Sequence, residues 1–386
     1  MIRLKNKTLL IFRWAPPVAG GPNCIYHLFS RFSPTDYCIL TNYKNTHSGN
    51  LTNNWLPANY YYYDKWSLLK TGFFKRITQA YQLINGGYRL IKQEHVDLIF
   101  SVSDGGHSFL TGLTLSIITG RPLAIYLLDL YKDNYLPRRQ KIIAWLIEPI
   151  IFYWAIKIIV TNEGTREFYL RRYPRLDFEI IYNSTDFNQY QKQITLYNPI
   201  SPYSIVFTGH LYWAQRQSIE NLIQAVIETT ELEITLTLYV LNPPADLVAH
   251  YINNPKIIFT KAPQEKMPEI QTKADILFLP LAWETPSPAI IQTATPGKLT
   301  DYLASGRPIL VHAPDYAYVS RFSHKHGLAT VVDQNNIDLL KKAIKKILTD
   351  QRHSQATIVK AQDTFHRLYN AEINAQKLAD IINHTR

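Results

Sequence analysis

Cysteine is almost absent. Cys24 and Cys38 are the only two in 386 residues, so a disulfide framework is excluded, and no CxxC pair or Cys/His cluster has zinc-site spacing. No GxSxG, HExxH or Walker A signature occurs either, which leaves serine-hydrolase, zincin and P-loop chemistry without a motif. The 15 glycines and 22 prolines follow no period, excluding collagen-like and low-complexity classes. At the N-terminus the apolar run Leu9 to Phe12 is too short for a secretory signal and ends at Arg13, so it reads as a first strand. An uninterrupted membrane span is also missing. Ile142 to Val160 comes nearest, but Glu148, Pro149 and Lys157 lie inside it, and such charges are costly at a bilayer centre. It divides instead into a helix, about Arg138 to Trp154, and a buried strand, Lys157 to Thr161. A reducing cytoplasmic location fits this inventory.

What is present suits a folded chain: 46% hydrophobic residues against 18% charged, and a length that two domains would share. The formal charge of +11 is unevenly placed. Residues 1–195 hold 23 Lys/Arg against 13 Asp/Glu, whereas residues 196–386 hold 18 against 17. The first half therefore either faces an anionic partner or has an ordinary basic solvated face.

Short apolar runs alternate with helical patterns throughout. In the first half, strands are expected at Thr8 to Phe12, Tyr37 to Leu40, Asp97 to Val102 and Leu123 to Leu128, with a helix from Pro22 to Phe32. Phe74, Ile77, Tyr81, Ile84, Tyr88 and Ile91 recur at steps of three and four, predicting one apolar stripe on a long helix that Gly86 and Gly87 would kink. Residues 187–204 lose this periodicity and contain Pro199 and Pro202, which places a linker there. A second series follows: strands beginning at Ser204, Glu233, Lys256, Asp275 and Pro308, and helices at Ser218 to Thr229, Asp246 to Ile252, Glu265 to Thr272 and Gly297 to Ala304. Thr357 to Asn383 reads as helix. Two βα series imply two doubly wound parallel sheets, residues 1–195 and 200–365, with residues 366–386 returning to the first domain. Ligands of such sheets bind beyond the carboxyl ends of the strands, here bordering one cleft.

The loops after strands therefore hold the candidate residues. Gly20 and Gly21 follow the first strand and open a helix, allowing close approach of an anion or simply a tight connection. Asp104 and His107 follow the strand Asp97 to Val102, where they would meet a sugar hydroxyl or exchange protons, although Asp104 is equally suited to cap a helix. Asp129 ends the next strand, and a carboxylate after so apolar a run calls for a partner or a ligand. In the second half Gly209 permits close backbone approach, with His210 or Arg216 supplying charge to a diphosphate; Arg216 is otherwise a solvated surface residue. Glu284 lies on the long loop after Leu279 and Pro280. Thr295 is placed to cap the helix at Gly297, with Pro296 at its first position. Lys298 and Asp301, three residues apart, share one face, where cation, carboxylate and helix N-H groups would take a phosphate and a ribose hydroxyl together. An intrahelical Lys-Asp pair is the alternative. Tyr60 to Tyr63 and the loop Thr46 to Trp55 are candidates for an acceptor site.

Taken in order, these elements resemble the GT-B glycosyltransferases, in particular the retaining group numbered family four. The resemblance rests on Pro16-Pro-x-x-Gly20-Gly21, Asp129-Leu-Tyr131, Glu148 on a helix before a strand ending at Thr161, and Tyr182-Asn-Ser with Asp186 and Phe187. It continues with Phe207-x-Gly209-x-Leu211, Leu279-Pro280 and Pro296-x-Lys298-Leu-x-Asp301-Tyr302-Leu-Ala-x-Gly306-x-Pro308. It implies a two-domain α/β fold and sugar transfer from a nucleotide-diphosphate-sugar co-substrate, with no metal and no other cofactor, to a saccharide or lipid-linked acceptor in polysaccharide or glycoconjugate synthesis. Gly20 and Gly21 would face donor phosphates, Asp301 the ribose and Glu284 the sugar, with Asp104, His107 and Asp129 as the catalytic candidates. The family's Glu-x7-Glu spacing is not kept: Glu284 and Asp301 are 17 apart and Thr293 stands eight before Asp301. His210 replaces the usual Arg, and Leu128 the His often found before the Asp129 position. These departures support a catalytically silent partner protein as the second reading; a nucleotide-sugar epimerase is a third. Arg138, Arg139 and Lys141 ahead of Ile142, Trp145 and Leu146 suggest peripheral contact with an anionic membrane. No RNP, zinc-finger or helix-turn-helix signature accompanies the basic residues, so nucleic acid is not an expected partner.

Overall fold

Strands buried on both faces need continuous apolar runs, and the chain supplies them in two series. The computed structural model describes residues 1–385 apart from 18–19, 42–53, 63–72 and 105–106. The chain divides into two units: Met1–Ser184 with Ala371–Arg386, and Thr185–Asn370. The first crossing therefore precedes the aperiodic stretch 187–204.

Unit 1 contains β1 (Thr8–Ile11), α1 (Gly21–Phe29), β2 (Tyr37–Thr41), β3 (Asn59–Tyr62), α2 (Phe73–Gln93), β4 (Leu98–Val102), α3 (His107–Thr119), β5 (Leu123–Leu127), α4 (Arg138–Trp154), β6 (Lys157–Val160), α5 (Glu163–Arg172) and β7 (Glu179–Ile180). Its seven strands are parallel in the order β3-β2-β1-β4-β5-β6-β7. Helix and strand fall where the charge-interrupted stretch 142–160 predicts, and among the described residues no helix is long and apolar enough to cross a membrane. The stripe on α2 is different from the expected one. Tyr81 is 69% exposed, while Leu83, Gly87, Leu90 and Ile91 face inward; the side chains of Phe74 and Ile77 lie outside the described residues. The helix runs on unbroken through Gly86 and Gly87. A Cβ on Gly87 would stand 2.6 Å from Leu115 Cδ1, so the absent side chain lets α2 lie against α3.

Unit 2 follows with α6 (Asn188–Gln191), β8 (Tyr203–Thr208), α7 (Trp213–Glu228), β9 (Ile234–Tyr239), α8 (Ala245–Tyr251), β10 (Ile257–Thr260), α9 (Met267–Thr272), β11 (Ile276–Pro280), α10 (Pro288–Thr293), α11 (Gly297–Ala304), β12 (Ile309–His312), α12 (Tyr318–His326), β13 (Thr330–Val332), α13 (Ile337–Thr349) and α14 (Gln351–Thr364). The six strands are again parallel, ordered β10-β9-β8-β11-β12-β13. Both orders reverse beside the unit's first strand, β1 next to β4 and β8 next to β11, the doubly wound arrangement. The long helix expected from Thr357 to Asn383 is broken: a wide turn at Phe365–Tyr369 and extended Asn370 end α14. The final helix, α15 (Ala371–Asn383), packs on α1, contributing Ala375, Leu378, Ala379 and Ile382 to the unit 1 core.

Candidate functional site

In unit 1 the sequence candidates gather at the carboxyl edge of adjacent strands β1, β4 and β5. Gly20 ends the β1 loop at φ +89°, a conformation that needs glycine, and α1 begins without a side-chain cap. A Cβ on Gly21 would lie 3.7 Å from Leu128 Cδ1, which sets this loop beside the turn holding Asp129. The Tyr60 hydroxyl, donating to Pro16 O at 2.7 Å, secures the start of the same loop.

Asp104 is engaged by its own unit. Its carboxylate accepts from the Arg13 and Ser108 amides, each at 3.0 Å, and from the Ser108 hydroxyl, so it joins the end of β1 to the first turn of α3. His107 is exposed at the start of α3. Asp129 is exposed too; solvent reaches the carboxylate even though surrounding protein raises its pKa. Gly105, Gly106, Tyr63 and residues 46–53 of the candidate acceptor loop lie outside the described residues.

In unit 2 the switch point assembles a denser group. Gly209 follows β8 at φ +117°, and a Cβ there would meet Lys298 Cε at 3.2 Å. Lys298 reaches this loop from α11 and lays its ammonium over the Phe207 ring, 4.0 Å from the centroid. The expected cap is corrected: Pro296, extended at ψ 130°, is the N-cap residue and Gly297 the first helical one, so Thr295 lies outside the helix. The N-cap residue Pro296 gives α11 no side-chain cap, and the first amides of a helix have no partner within it.

Lys298 and Asp301 are half-buried, and among the described residues no ion pair joins them. Desolvation alone moves the Lys298 ammonium down to about 7. It moves the Asp301 carboxyl up to about 6, despite hydrogen bonds from Thr185 and Tyr190. His210 is exposed, but neighbouring protein and the Lys298 charge lower its pKa. Among the described residues no carboxylate compensates the Lys298 ammonium, and beside the start of α11 it is able to take an anion.

Tyr190 was not among the sequence candidates. Its hydroxyl donates to Gln271 Oε1 at 2.8 Å and also bonds Asp301. Gln271 Nε2 donates to Thr208 Oγ1 at 3.1 Å, and the Thr208 amide donates to the Tyr302 hydroxyl at 3.0 Å. One phenol proton thus serves two acceptors, so Asp301 competes with Gln271 for it when ionised.

Two candidates stand apart from this group. Arg216, on α7, is neutralised by Glu220 at 2.8 Å and by Asp246. Glu284 is exposed on the loop after β11, where the Gln217 side chain accepts the Trp283 and Glu284 amides at 2.9 and 3.0 Å. That loop is shorter than expected, since α10 occupies part of it. An open concavity of about 440 Å³ lies elsewhere, against Val206, Thr237 and Tyr239; its lysines, Lys266 and Lys273, pair with Glu269, so it offers no unmatched cation. Among the described residues no three His, Cys, Asp or Glu side chains gather as metal ligands.

Residues 202–350 match the family model Glycosyl transferases group 1. The fold is GT-B. No curated protein sequence matches the chain, but solved GT-B structures match it over nearly its whole length. Sucrose-phosphate synthase from Thermosynechococcus elongatus is 14% identical with a TM-score of 0.73, covering 98% of both chains. HepE from Anabaena, in complex with UDP and glucose, is 14% identical with a TM-score of 0.71, covering 98% of this chain and 100% of its own. An E. coli trehalose-6-phosphate protein bound with UDP-2-fluoro glucose is 10% identical with a TM-score of 0.66, covering 99% of both. At such identities the likeness establishes the GT-B fold, and the site must be argued from its own residues.

Proposed function

We propose that the protein is a glycosyltransferase moving a sugar from a nucleotide-diphosphate-sugar donor to a saccharide or lipid-linked acceptor, in cell-surface polysaccharide or glycoconjugate synthesis. One observation carries the reading: Lys298, with no carboxylate partner among the described residues, lies beside Gly209 at the start of α11, where Pro296 supplies no side-chain cap, one turn before Asp301. The group 1 match over the same unit and the UDP-containing complexes of HepE support it. In this reading Lys298 and the α11 amides hold the diphosphate and stabilise charge on it as it leaves. Asp301, positioned by Thr185 and Tyr190, takes the ribose hydroxyls. His210 and Glu284 lie toward the sugar, and Gly20 and Gly21 leave backbone amides for phosphate. Asp104 orders the β1 and β4 loops, so that His107 and Asp129 are left to meet the acceptor. The transfer is proposed to be retaining and metal-independent, with the leaving phosphate taking the acceptor proton and the enzyme acting in the cytoplasm.

A second reading, nucleotide binding without turnover, is favoured by the pairing of Arg216 with Glu220 and Asp246, which removes one expected phosphate cation.

Thermal stabilisation by UDP, GDP, dTDP, ADP and their sugars tests the site, since a ligand at 100 times its Kd adds about 2.7 kcal/mol. The expected result is selective stabilisation by one nucleotide, lost in Asp301→Ala. No shift with any of them at millimolar concentration overturns the donor site. Stabilisation without nucleotide release or sugar conversion would select the silent binder.

A further inference from the structure

The outward side of α4 departs from what a surface helix requires. Its inward side is anchored by fully buried Glu148, which accepts from the Tyr173 hydroxyl at 3.0 Å and the Lys132 amide at 3.1 Å and pairs with Arg172 at 3.1 Å. The opposite side should then be polar. Instead Ile142, Trp145, Leu146, Ile150 and Tyr153 are all more than half exposed, Trp145 at 63%. The apolar surface continues onto α3, because Trp154 donates its indole N-H to Ser116 at 2.9 Å and the neighbouring Ile117 and Ile118 are exposed as well. A contiguous patch of this kind marks an interaction surface.

Charge supplies a second observation. α4 opens on Arg138, Arg139 and Lys141 with no acid in its first turn, and cations there oppose the helix dipole, so the helix itself gains nothing from them. α3 contains no acidic residue and its one basic residue is His107 at its first position, and the one acid of α4 is the buried Glu148. The exposed surface of the two helices is therefore apolar and cationic without a single carboxylate. Tryptophan and tyrosine on the same face are side chains suited to headgroup depth.

We propose that α4 and the adjoining end of α3 form a docking surface for an anionic lipid bilayer. The helix lies in the interfacial plane, with Ile142, Trp145, Leu146 and Ile150 inserted and Arg138 and Lys141 at the lipid phosphates. A second copy of the chain is the poorer occupant, since a self-complementary contact of this surface offers those cations no negative group. The inference rests on unit 1 alone and is independent of the transfer reading.

The test is co-sedimentation of the full chain with phosphatidylcholine vesicles and with vesicles containing about one third phosphatidylglycerol, at low and high salt. Binding is expected to the anionic vesicles, to weaken with salt, and to fall about tenfold or more in an Ile142→Ser, Leu146→Ser, Ile150→Ser triple variant. An Arg138→Gln, Lys141→Gln variant should bind less and lose most of the salt dependence. Unchanged thermal midpoints keep folding out of the comparison. As a measurement needing no destabilising change, fluorescence of the unaltered protein should be quenched by brominated phosphatidylglycerol, less so after Trp145→Phe. Absence of vesicle binding at low salt, or binding indifferent to the triple variant, overturns the proposal. A dimer dissolved by the triple variant, with no vesicle binding, would assign the face to a second copy.

Discussion

Replacing Lys298 with methionine should stabilise the unliganded protein while weakening its affinity for a nucleotide diphosphate. The ammonium lies in a half-buried position without a carboxylate, and its pKa falls from 10.5 to about 7. A shift of that size corresponds to at most about 5 kcal/mol of folding free energy. Partial solvent access and loss of the contact with the Phe207 ring reduce the expected gain to about 2 kcal/mol. Because the folded pKa is depressed, the penalty is complete below pH 7, shrinks as pH rises from 7 toward 10.5, and is gone above it. Thermal unfolding of both proteins at pH 6 and pH 10 should therefore show the Lys298→Met advantage at the lower pH only. Calorimetry with the nucleotide found to bind should show affinity reduced about 10- to 100-fold in the variant, the loss of a charge-assisted contact. Binding to the unaltered protein near neutral pH should take up protons, visible as a buffer-dependent enthalpy. A variant less stable than the parent at pH 6, or one displaced equally at both pH values, would refute the reasoning.

Three further perturbations follow from the same geometry. Tyr190→Phe removes a hydrogen bond that lowers the Asp301 pKa, so the pH midpoint for nucleotide binding should move above about 6, with little loss of affinity at pH 8. An unmoved midpoint would deny Tyr190 a positioning role. Gly209→Ala forces a side chain into φ +117° beside Lys298 and should cost about 1–2 kcal/mol in urea unfolding as well as weaken nucleotide binding. Gly87→Ala places a Cβ 2.6 Å from Leu115 and should cost about 1–3 kcal/mol while leaving nucleotide binding unchanged.

The parallel strands were legible because both faces are covered, so β1, β4, β5, β8 and β11 read as unbroken apolar runs. β3 was not expected: Asn59–Tyr62 is a partly exposed edge strand of tyrosines with no apolar run to announce it. The inward face of α2 was hidden for another reason. It is set by a close approach at Gly87, and the residue with no side chain has no place in a hydrophobic count. At the site, Gly209, Gly297, Lys298 and Asp301 were readable because a strand end and a helix start are local patterns. Threonine is a good N-cap residue, which is why Thr295 points to a cap, yet the extended Pro296 shifts the start of α11 by one residue. Tyr190 came from an aperiodic stretch and reaches Asp301 only through folding, so no local pattern could have singled it out.

Unit 2 is a continuous segment, and the chain enters it at Thr185 beside the Asn370 where it leaves, the Thr185 amide donating to Tyr369 O at 3.3 Å. Unit 1 is not continuous. Its core includes Ala375, Leu378 and Ile382, and Asn6 near the N-terminus donates to Ile382 O and Thr385 O at 2.8 and 2.9 Å. During synthesis, therefore, unit 2 has all of its sequence before unit 1 has its last helix. The first strands of unit 1 must wait, with part of their apolar surface uncovered, until α15 has been made. A ribosome stalled just after Asn370 has left the exit tunnel would carry a complete unit 2 and an unfinished unit 1.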